Sequence, residues 1–457
     1  MFGKIKHIHL VGIGGTGMSG IAELLLNLGY RVSGSDLVTS EVTQRLVALG
    51  GKITRGHSSS NVEDADVVVY SSAVKPDNVE LVEARRRGIP VIPRAEMLAE
   101  LMRMKQGIAV GGAHGKTTTT WLIGLVMAAA GLDPTIIVGG RLKALGTNAK
   151  LGGGPYLVAE ADESDGSFLR LSPNVAVATT IDEEHLDHYP DLEAIKTSFV
   201  EFLNKVPFYG AAVVCLDEEN IQAILPRIIR RVVTYGFSQQ ADVRATDVSP
   251  DGLNVTFNVR LRDSKLGSIL LRMPGRHNIA NALAAVAVGL ELDIPFPAIS
   301  EGISQFTGIA RRLEVRGEVG DIVFIDDYAH HPTEIAATLE TIKSMWKRRI
   351  VAVFQPHRYT RTRALWDKLG RSFYDADMVI VIPIYAAGED PIPGVTSSLV
   401  AEAATKSGHR SVACIEDRQE LIEHLLSVLQ PGDAVVTLGA GDVWKVATET
   451  MEKLRSE

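Results

Sequence analysis

Residues 107–130 read GIAVGGAHGKTTTTWLIGLVMAAA. Gly107 to Gly111 has the length and apolar character of a buried strand. A glycine-rich turn follows, and then a helical stretch through about Ala130. Strand, glycine turn and helix in this order make a cradle for phosphate. Backbone N–H groups without side chains in the way can point at the anion, and the helix N-terminus adds positive potential. Lys116 can reach the outer phosphate oxygens, and the Thr117 hydroxyl is placed for Mg2+. The match to GxxxxGK[ST] is imperfect, because strict spacing asks for glycine where the chain has Val110, and Gly111 and Gly112 come just after. The loop is therefore a shortened variant. Its candidate ATP contacts are Gly112, His114, Gly115, Lys116, Thr117 and Thr118. The alternative is a flexible loop with a solvated lysine.

The same alternation extends on both sides. Towards the N-terminus, His7–Val11 reads as a strand, Gly20–Leu28 as a helix and Tyr30–Gly34 as a strand. Gly12, Gly14 and Gly17 between them fit GxGxxG, and Asp36 follows about 20 residues later. Such a turn holds a nucleotide diphosphate, or is simply a tight structural turn. Asp36 is either a ribose acceptor or a solvated carboxylate at a strand end. Ala65–Tyr70, Val79–Arg87 and Ile89–Ile92 continue the pattern to about residue 103. A second region, 104–308, adds strands Tyr156–Ala159, Val175–Thr179 and Ala211–Leu216. It also contains an alternating polar–apolar stretch, 241–273, that reads as antiparallel margin, and a helix Asn278–Leu290. A third region, 309–457, alternates strands Ile322–Ile325, Ile350–Phe354, Met378–Ile382 and Ala434–Leu438 with four helical patterns. The expected fold is α/β in three domains, 1–103, 104–308 and 309–457. The first is Rossmann-like, the second a P-loop ATPase domain with a mostly parallel sheet, and the third again Rossmann-like.

Composition agrees. The chain has 457 residues, 46% hydrophobic and 22% charged, enough for about three globular cores. Forty-seven basic against 55 acidic residues give a formal charge of −8, which excludes a basic nucleic-acid footprint. Two cysteines, Cys215 and Cys414, rule out a disulfide scaffold and point to a reducing compartment. The start lacks a signal-peptide pattern, and the longest apolar run, Trp121–Gly131, is too short to span a membrane. A cytoplasmic protein without stable membrane insertion is expected.

Acidic and cationic groups cluster after the strands. YLVAEADESDGSF (156–168) runs an apolar strand into Glu160, Asp162, Glu163 and Asp165. A carboxylate at a strand end beside a phosphate loop can bind Mg2+, and Glu160 is favoured because it ends the strand. In TTIDEEHLDHYPD (179–191), His185 is the better candidate for a second ion, with His188 as its alternative. PGRHNIANA (274–282) offers His277, Asn278 and Asn281, although Asn278 could cap the helix and Asn281 could lie on its surface. FTGIARR ends in Arg311 and Arg312, a pair suited to a transferring phosphate or to a solvated linker. FIDDYAHHPTE (324–334) and FQPHRYTRTRA (354–364) each run from strand to helix, so their polar groups can converge on one cleft. This cationic set suits a carboxylate or phosphate, and Tyr328 could line a small pocket.

The ordered set GIGGTGMSG, GGAHGKTTTT, EADESD, EHLDHY, PGRHNIANA, DDYAHHPTE and QPHRYTR resembles the Mur ligase family, the ATP-dependent amide-forming enzymes of peptidoglycan synthesis. The last two motifs favour its alanine-adding branch. The resemblance covers essentially the whole chain. It implies that Gly14, Gly15 and Gly17 grip a UDP-substrate, with the uridine near Asp36 and with Ser71 and Ser72 close by. It implies ATP contacts from His277, Asn281, Arg312 and Asp327 in addition to the phosphate loop. It implies that Thr117, Glu160 and His185 hold Mg2+, two ions in all, with Mn2+ as a substitute. Tyr328, His330, His357, Arg358 and Arg361 would surround L-alanine. Lys116, His185, Arg312 and His330 would be the catalytic set, with His330 taking the amine proton, as an imidazole pKa of about 6.5 allows. The partners implied are UDP-N-acetylmuramate, L-alanine and ATP, the chain being a monomer or a homodimer. Ala113 and Ala329 stand where Thr and Gly are familiar in the family, and neither change removes a functional group. Competing readings are the recycling ligase that attaches a tripeptide to the same sugar nucleotide, an NAD-dependent oxidoreductase, and a non-catalytic nucleotide switch.

Overall fold

The computed structural model describes residues 4–71, 73–138, 149–185 and 188–456. The chain divides into two compact units. The larger holds Met1–Val248, Thr256–Leu271 and Asn278–Thr307, and the smaller holds Ser249–Val255, Arg272–His277 and Gly308–Glu457.

Within the larger unit the first sheet contains β1 (His7–Val11), β2 (Arg31–Asp36), β3 (Lys52–Arg55), β4 (Val67–Tyr70) and β5 (Val91–Pro93), interleaved with α1 (Thr16–Asn27), α2 (Glu41–Ala48), α3 (Val79–Arg86) and α4 (Arg94–Arg103). Its strand order is β3-β2-β1-β4-β5, and every pairing is parallel. The order reverses beside β1, so the glycine turn after β1 lies at the switch point where such sheets bind ligands.

The second sheet has ten strands. The chain runs β6 (Gln106–Gly111), α5 (Lys116–Ala129), β7 (Thr135–Ile137), β8 (Ala149–Lys150), β9 (Tyr156–Glu160), β10 (Val175–Ala178), α6 (Leu192–Asn204), β11 (Ala211–Cys215), α7 (Glu219–Ile224) and β12 (Val232–Gly236). It continues through β13 (Val243–Asp251), β14 (Asn254–Leu261), β15 (Ser264–Leu271), α8 (Arg276–Glu291) and α9 (Phe296–Ser304). The order is β15-β14-β13-β12-β11-β10-β6-β9-β7-β8. The 241–273 stretch therefore forms one margin, as its alternation predicts. At the centre, β6 pairs in parallel with β10 on one side and β9 on the other. The loops after β10, β6 and β9 thus emerge side by side.

That centre is braced from below. α6 is capped by Asp191, which accepts the Ala194 N–H at 2.8 Å, and it buries Ile195, Phe199, Phe202 and Leu203 along one face. Phe168 meets Phe199 and Phe202 with ring centroids 5.3 and 5.0 Å apart. Each buried ring contributes roughly 2–3 kcal/mol of burial free energy. A side chain at Gly111 would press on Phe202, so the glycine lets α6 seat against the end of β6.

The smaller unit contains β16 (Glu314–Val319), β17 (Ile322–Asp327), α10 (Pro332–Met345), β18 (Arg349–Phe354), α11 (Tyr359–Arg371), β19 (Met378–Val381), α12 (Ser398–Lys406), β20 (Val412–Cys414), α13 (Arg418–Val428), β21 (Asp433–Leu438) and α14 (Trp444–Ser456). The order is β16-β17-β21-β18-β19-β20. All pairings are parallel except β16–β17. β17, β18 and β21 are buried almost throughout, which is why they read as continuous apolar runs. Among the described residues no helix is long and apolar enough to cross a membrane.

Candidate active site

The phosphate loop is set by its backbone. Gly115, the N-cap of α5, has φ +79°, and Gly112 has φ +143°. Both lie where side chains are disfavoured. A side chain at Gly115 would also collide with the amide of Asn281, and one at Gly112 with the hydroxyl of Thr179. The loop is tied to the end of β10: the Ala113 N–H donates to the Thr180 carbonyl at 3.0 Å and the His114 N–H to Thr180 Oγ1 at 2.8 Å. The His114 ring reaches Asp182 at 3.3 Å. Asn281 is buried and accepts from Thr119 Oγ1 at 3.2 Å. It therefore supports the loop from α8 and does not lie on the helix surface. Thr118 is buried in the first turn of α5, and His277 is exposed at the start of α8.

Lys116 Nζ donates to the Gly112 carbonyl at 2.6 Å and to Glu163 Oε1 at 2.8 Å. Burial alone would lower the pKa of this ammonium, but the carboxylates of Glu163, Glu160 and Asp162 hold it above the usual lysine range. Thr117 Oγ1 donates to Glu160 Oε2 at 3.0 Å. His185 Nε2 lies 3.5 Å from both Glu163 Oε1 and Glu184 Oε2. The structure thus brings Lys116, Thr117, Glu160 and His185 into one neighbourhood, with Glu163 at its middle. His188 is exposed and stands edge-on to Tyr189.

At the N-terminal glycine turn, Asp36 is neither bare nor simply solvated. Its Oδ2 accepts the Gly14 N–H at 2.8 Å and its Oδ1 the Val38 N–H at 3.2 Å. Any side chain on Gly14 would strike this carboxylate. A cavity of about 200 Å³ opens beside Asp36, lined by Val38, Thr39, Thr43, Ile53 and Arg55 among others. Gly15 is the N-cap of α1 and Gly17 lies in its first turn. Ser71 donates its N–H to Val11 at 3.3 Å, next to Gly12. Ser72 lies outside the described residues.

In the smaller unit the named side chains gather at the C-terminal ends of β17 and β18. Tyr328 and His330 have ring centroids 5.4 Å apart, and His330 and His357 5.6 Å apart. Arg361 Nη1 lies 3.2 Å from His357 Nδ1. Because a guanidinium only donates, His357 carries its hydrogen on Nε2. Burial, followed by the charges of His330, Arg361, Arg358 and Arg311, pushes the His357 pKa down to about 3. His330 Nδ1 faces the Tyr328 carbonyl at 2.9 Å, so Nδ1 is the protonated nitrogen and the lone pair of the neutral ring is on Nε2. Arg358 is exposed and its backbone holds φ +69°. Arg312 Nη1 donates to Glu334 Oε1 at 3.1 Å, and Glu334 Oε2 accepts the His330 N–H at 3.1 Å. Asp327 is buried, and its two oxygens accept the N–H groups of Leu313 and Ala329 at 2.6 and 2.8 Å. It braces the turn that carries Arg312.

Three family models match in sequence order: "Mur ligase family, catalytic domain" over residues 7–106, "Mur ligase middle domain" over 110–289, and "Mur ligase, glutamate ligase domain" over 311–441. The chain is 57% identical over 455 residues to the UDP-N-acetylmuramate–L-alanine ligase of Geotalea daltonii, covering 100% of this chain and 99% of that one. It is 58% identical over 455 residues to the enzyme of the same name from Syntrophotalea carbinolica, with the same coverage. The chain belongs to the Mur ligase family. Among solved structures, the UDP-N-acetylmuramate–alanine ligase of Thermotoga maritima superposes on this Mur ligase with TM-score 0.80 at 28% identity, covering 99% of both chains. The murein peptide ligase of Psychrobacter arcticus follows with TM-score 0.70 at 26% identity, covering 98% of both. The three-domain α/β architecture expected from the sequence is the family's architecture.

Sequence reasoning passed over four groups in this Mur ligase. Glu163 is nearly fully buried, and its Oε2 has no hydrogen-bond partner among the described residues. Glu163, Glu184 and His185 offer ligand atoms all within 4.8 Å of one another. Two carboxylates and an imidazole around an orphaned oxygen fit a hard divalent cation. His185 holds φ +56°, the kind of strain that persists where the surroundings over-determine it. The signal for Glu163 was in EADESD, but ending the strand favoured Glu160. Glu334 was readable as the acidic third residue of a helix opened by Pro332. Arg94 pairs with Asp162 at 3.2 Å and lies against Gly17, and no local motif announces it.

Proposed function

We propose that this chain is an ATP-dependent ligase that joins L-alanine to the lactyl carboxylate of UDP-N-acetylmuramate, releasing ADP and phosphate for peptidoglycan precursor synthesis. The observation that carries the reading is end-to-end identity of 57–58% to UDP-N-acetylmuramate–L-alanine ligases. The domain limits are taken as 1–103 for the UDP-substrate, 104–308 for ATP and 309–457 for the amino acid, in a cytoplasmic monomer or homodimer.

The chemistry balances in two transfers. A carboxylate oxygen of the sugar nucleotide forms a bond to the γ-phosphorus, and the bond to the ADP oxygen breaks. The amine nitrogen of L-alanine then bonds to the acyl carbon of this acyl phosphate. The tetrahedral intermediate expels phosphate, and one amine proton passes to a base. Lys116, kept charged by its carboxylate neighbours, follows the negative charge as it moves to the leaving ADP. The backbone N–H groups after Gly112 orient the triphosphate, with Asn281 and His277 towards the nucleoside. Arg312 offers a second positive charge to the transferring group, with Asp327 fixing its turn. The lone pair on His330 Nε2 makes this ring the acceptor of the amine proton. His357, neutral and oriented by Arg361, shapes the amino-acid pocket together with Tyr328 and Arg358. Gly14, Gly15 and Gly17 hold the diphosphate of the sugar nucleotide, with Ser71 beside them and the uridine in the cavity next to Asp36.

Thr117, Glu160, Glu163, Glu184 and His185 would hold Mg2+, or Mn2+ in its place, in up to two positions. When bound, the metal neutralises phosphate charge and lowers the barrier to attack by an anion. Phosphate release with ATP, Mg2+ and UDP-N-acetylmuramate, scanned across free amino acids and a tripeptide, tests the reading. Stimulation by L-alanine is expected. Stimulation by the tripeptide alone would move the chain to the recycling branch, and release independent of any acceptor would remove the ligase reading.

A further inference from the structure

Tyr385 follows β19 and belongs to none of the sequence motifs. Its main chain is locked to the turn after β18. The Tyr385 N–H donates to the Pro356 carbonyl at 2.8 Å, and the Arg358 N–H donates to the Tyr385 carbonyl at 2.9 Å. This bridge pins the turn at Arg358, whose left-handed φ of +69° is otherwise unfavourable. The Tyr385 ring stacks on His357, with centroids 5.7 Å apart and planes 9° apart. Its other neighbour is Gly441, in the loop after β21, where any side chain would run into the ring. The ring thus touches both a backbone and an imidazole, and the residue is 40% exposed.

The contacts then close on themselves. The Gly441 carbonyl accepts from Arg311 Nη1 at 3.0 Å. The Arg311 guanidinium lies 5.2 Å from the Tyr328 ring centroid. Tyr328 meets His330 and His330 meets His357, which returns to Tyr385. The circuit takes its members from the ends of β17, β18 and β21, the segment after β19 and the turn before β16. It runs through Tyr328, His330 and His357 of the cluster assigned above to the amino acid.

We infer that Tyr385 is a positioning and specificity-determining residue of the amino-acid site. It holds His357 in plane and forms a wall that admits a methyl side chain and resists larger ones. The inference rests on the reading of that cluster as the L-alanine site. The physical ground is rigidity. An aromatic ring with two torsions, stacked on His357 and set against the Gly441 backbone, cannot retreat cheaply from an added methylene. A pocket of this kind discriminates one methylene by about 10- to 200-fold. The Tyr385 hydroxyl makes no hydrogen bond among the described residues, so Phe should serve as well.

The test is steady-state phosphate release by the full chain with L-alanine, glycine, L-serine and L-2-aminobutyrate. Tyr385→Phe should match the wild type. Tyr385→Ala should raise KM for L-alanine by about tenfold and cut the preference for L-alanine over L-2-aminobutyrate by a similar factor. KM for ATP and for UDP-N-acetylmuramate should stay within about twofold, a split that general destabilisation would not give. Should Tyr385→Ala fail to fold, Tyr385→Val, which is much smaller than the ring and cannot stack on His357, carries the same expectation. An unchanged amino-acid preference, or equal rises in all three KM values, would overturn the inference while leaving an active wild-type ligase. A wild-type protein indifferent to every amino acid would instead overturn the ligase reading, and this inference with it.

Discussion

The Lys116 ammonium lies 2.8 Å from Glu163 Oε1, while the other oxygen of Glu163 is buried without a partner among the described residues. One oxygen therefore anchors the phosphate-loop lysine, and the second is left for a cation. Glu163→Gln should weaken both roles. The Mg2+ concentration for half-maximal ATP turnover should rise by about 10- to 100-fold. Mn2+ binding followed by electron paramagnetic resonance should weaken in parallel without any turnover. An unchanged Mn2+ affinity would show that Glu163 only positions Lys116.

Gly115 faces two demands at once: a left-handed backbone, and the Asn281 amide where a side chain would go. Gly115→Ala should lose about 1–2 kcal/mol from backbone strain alone. Asn281 must also shift, which breaks its bond from Thr119. A lower thermal midpoint together with at least tenfold weaker ATP binding by calorimetry is expected (about 1.4 kcal/mol). Asn281→Ala in the same background makes room and should recover part of the binding loss. No recovery would mean that the φ angle alone sets the effect.

His330 is oriented from two sides, its Nδ1 by the Tyr328 carbonyl and its N–H by Glu334. Removing a positioned proton acceptor typically costs about 10²–10⁴-fold. His330→Gln should lower kcat within that range and leave KM for the UDP-substrate unchanged. A variant with near-normal turnover would take His330 out of the proton path.

The parts of this site that the sequence made legible share one cause. Each sits where a buried, continuous apolar strand stops and a helix starts, as at Gly111 to Lys116 or Asp327 to Pro332, so composition changes sharply at the functional residue. Where burial is partial, the signal fades. β3 reads KITR, pairs only with β2 and is largely exposed, so no period betrays it. Glu163 carries no such signal, because it comes under Lys116 only where the chain turns back after β9. That return depends on Tyr189, whose hydroxyl donates to the Glu163 carbonyl at 2.7 Å from 26 residues away. Likewise, Tyr385 reaches His357 only through the parallel pairing of β18 with β19, which spacing along the chain does not encode.

Two groups in the smaller unit should make stability depend on pH with opposite signs. Burial, with the cationic neighbours adding to it, brings His357 from the ordinary 6.5 down to about 3. Burial also raises Asp327 from 3.8 to about 6, against the pull of Arg312 and the two N–H groups it accepts. Between pH 6.5 and 3 the unfolded chain binds the histidine proton and the folded chain does not, so acid destabilises through His357. Between pH 6 and 3.8 the folded chain binds the aspartate proton first, so acid stabilises through Asp327. The two partly cancel in the wild type. Urea unfolding followed from pH 6.5 to 4 separates them. His357→Gln should remove the destabilising limb and leave the protein less sensitive to acid. Asp327→Asn, although less stable at every pH because one oxygen cannot accept both N–H groups as well, should lose stability more steeply as pH falls. Slopes that move in the same direction in both variants would contradict the assignment of these buried groups.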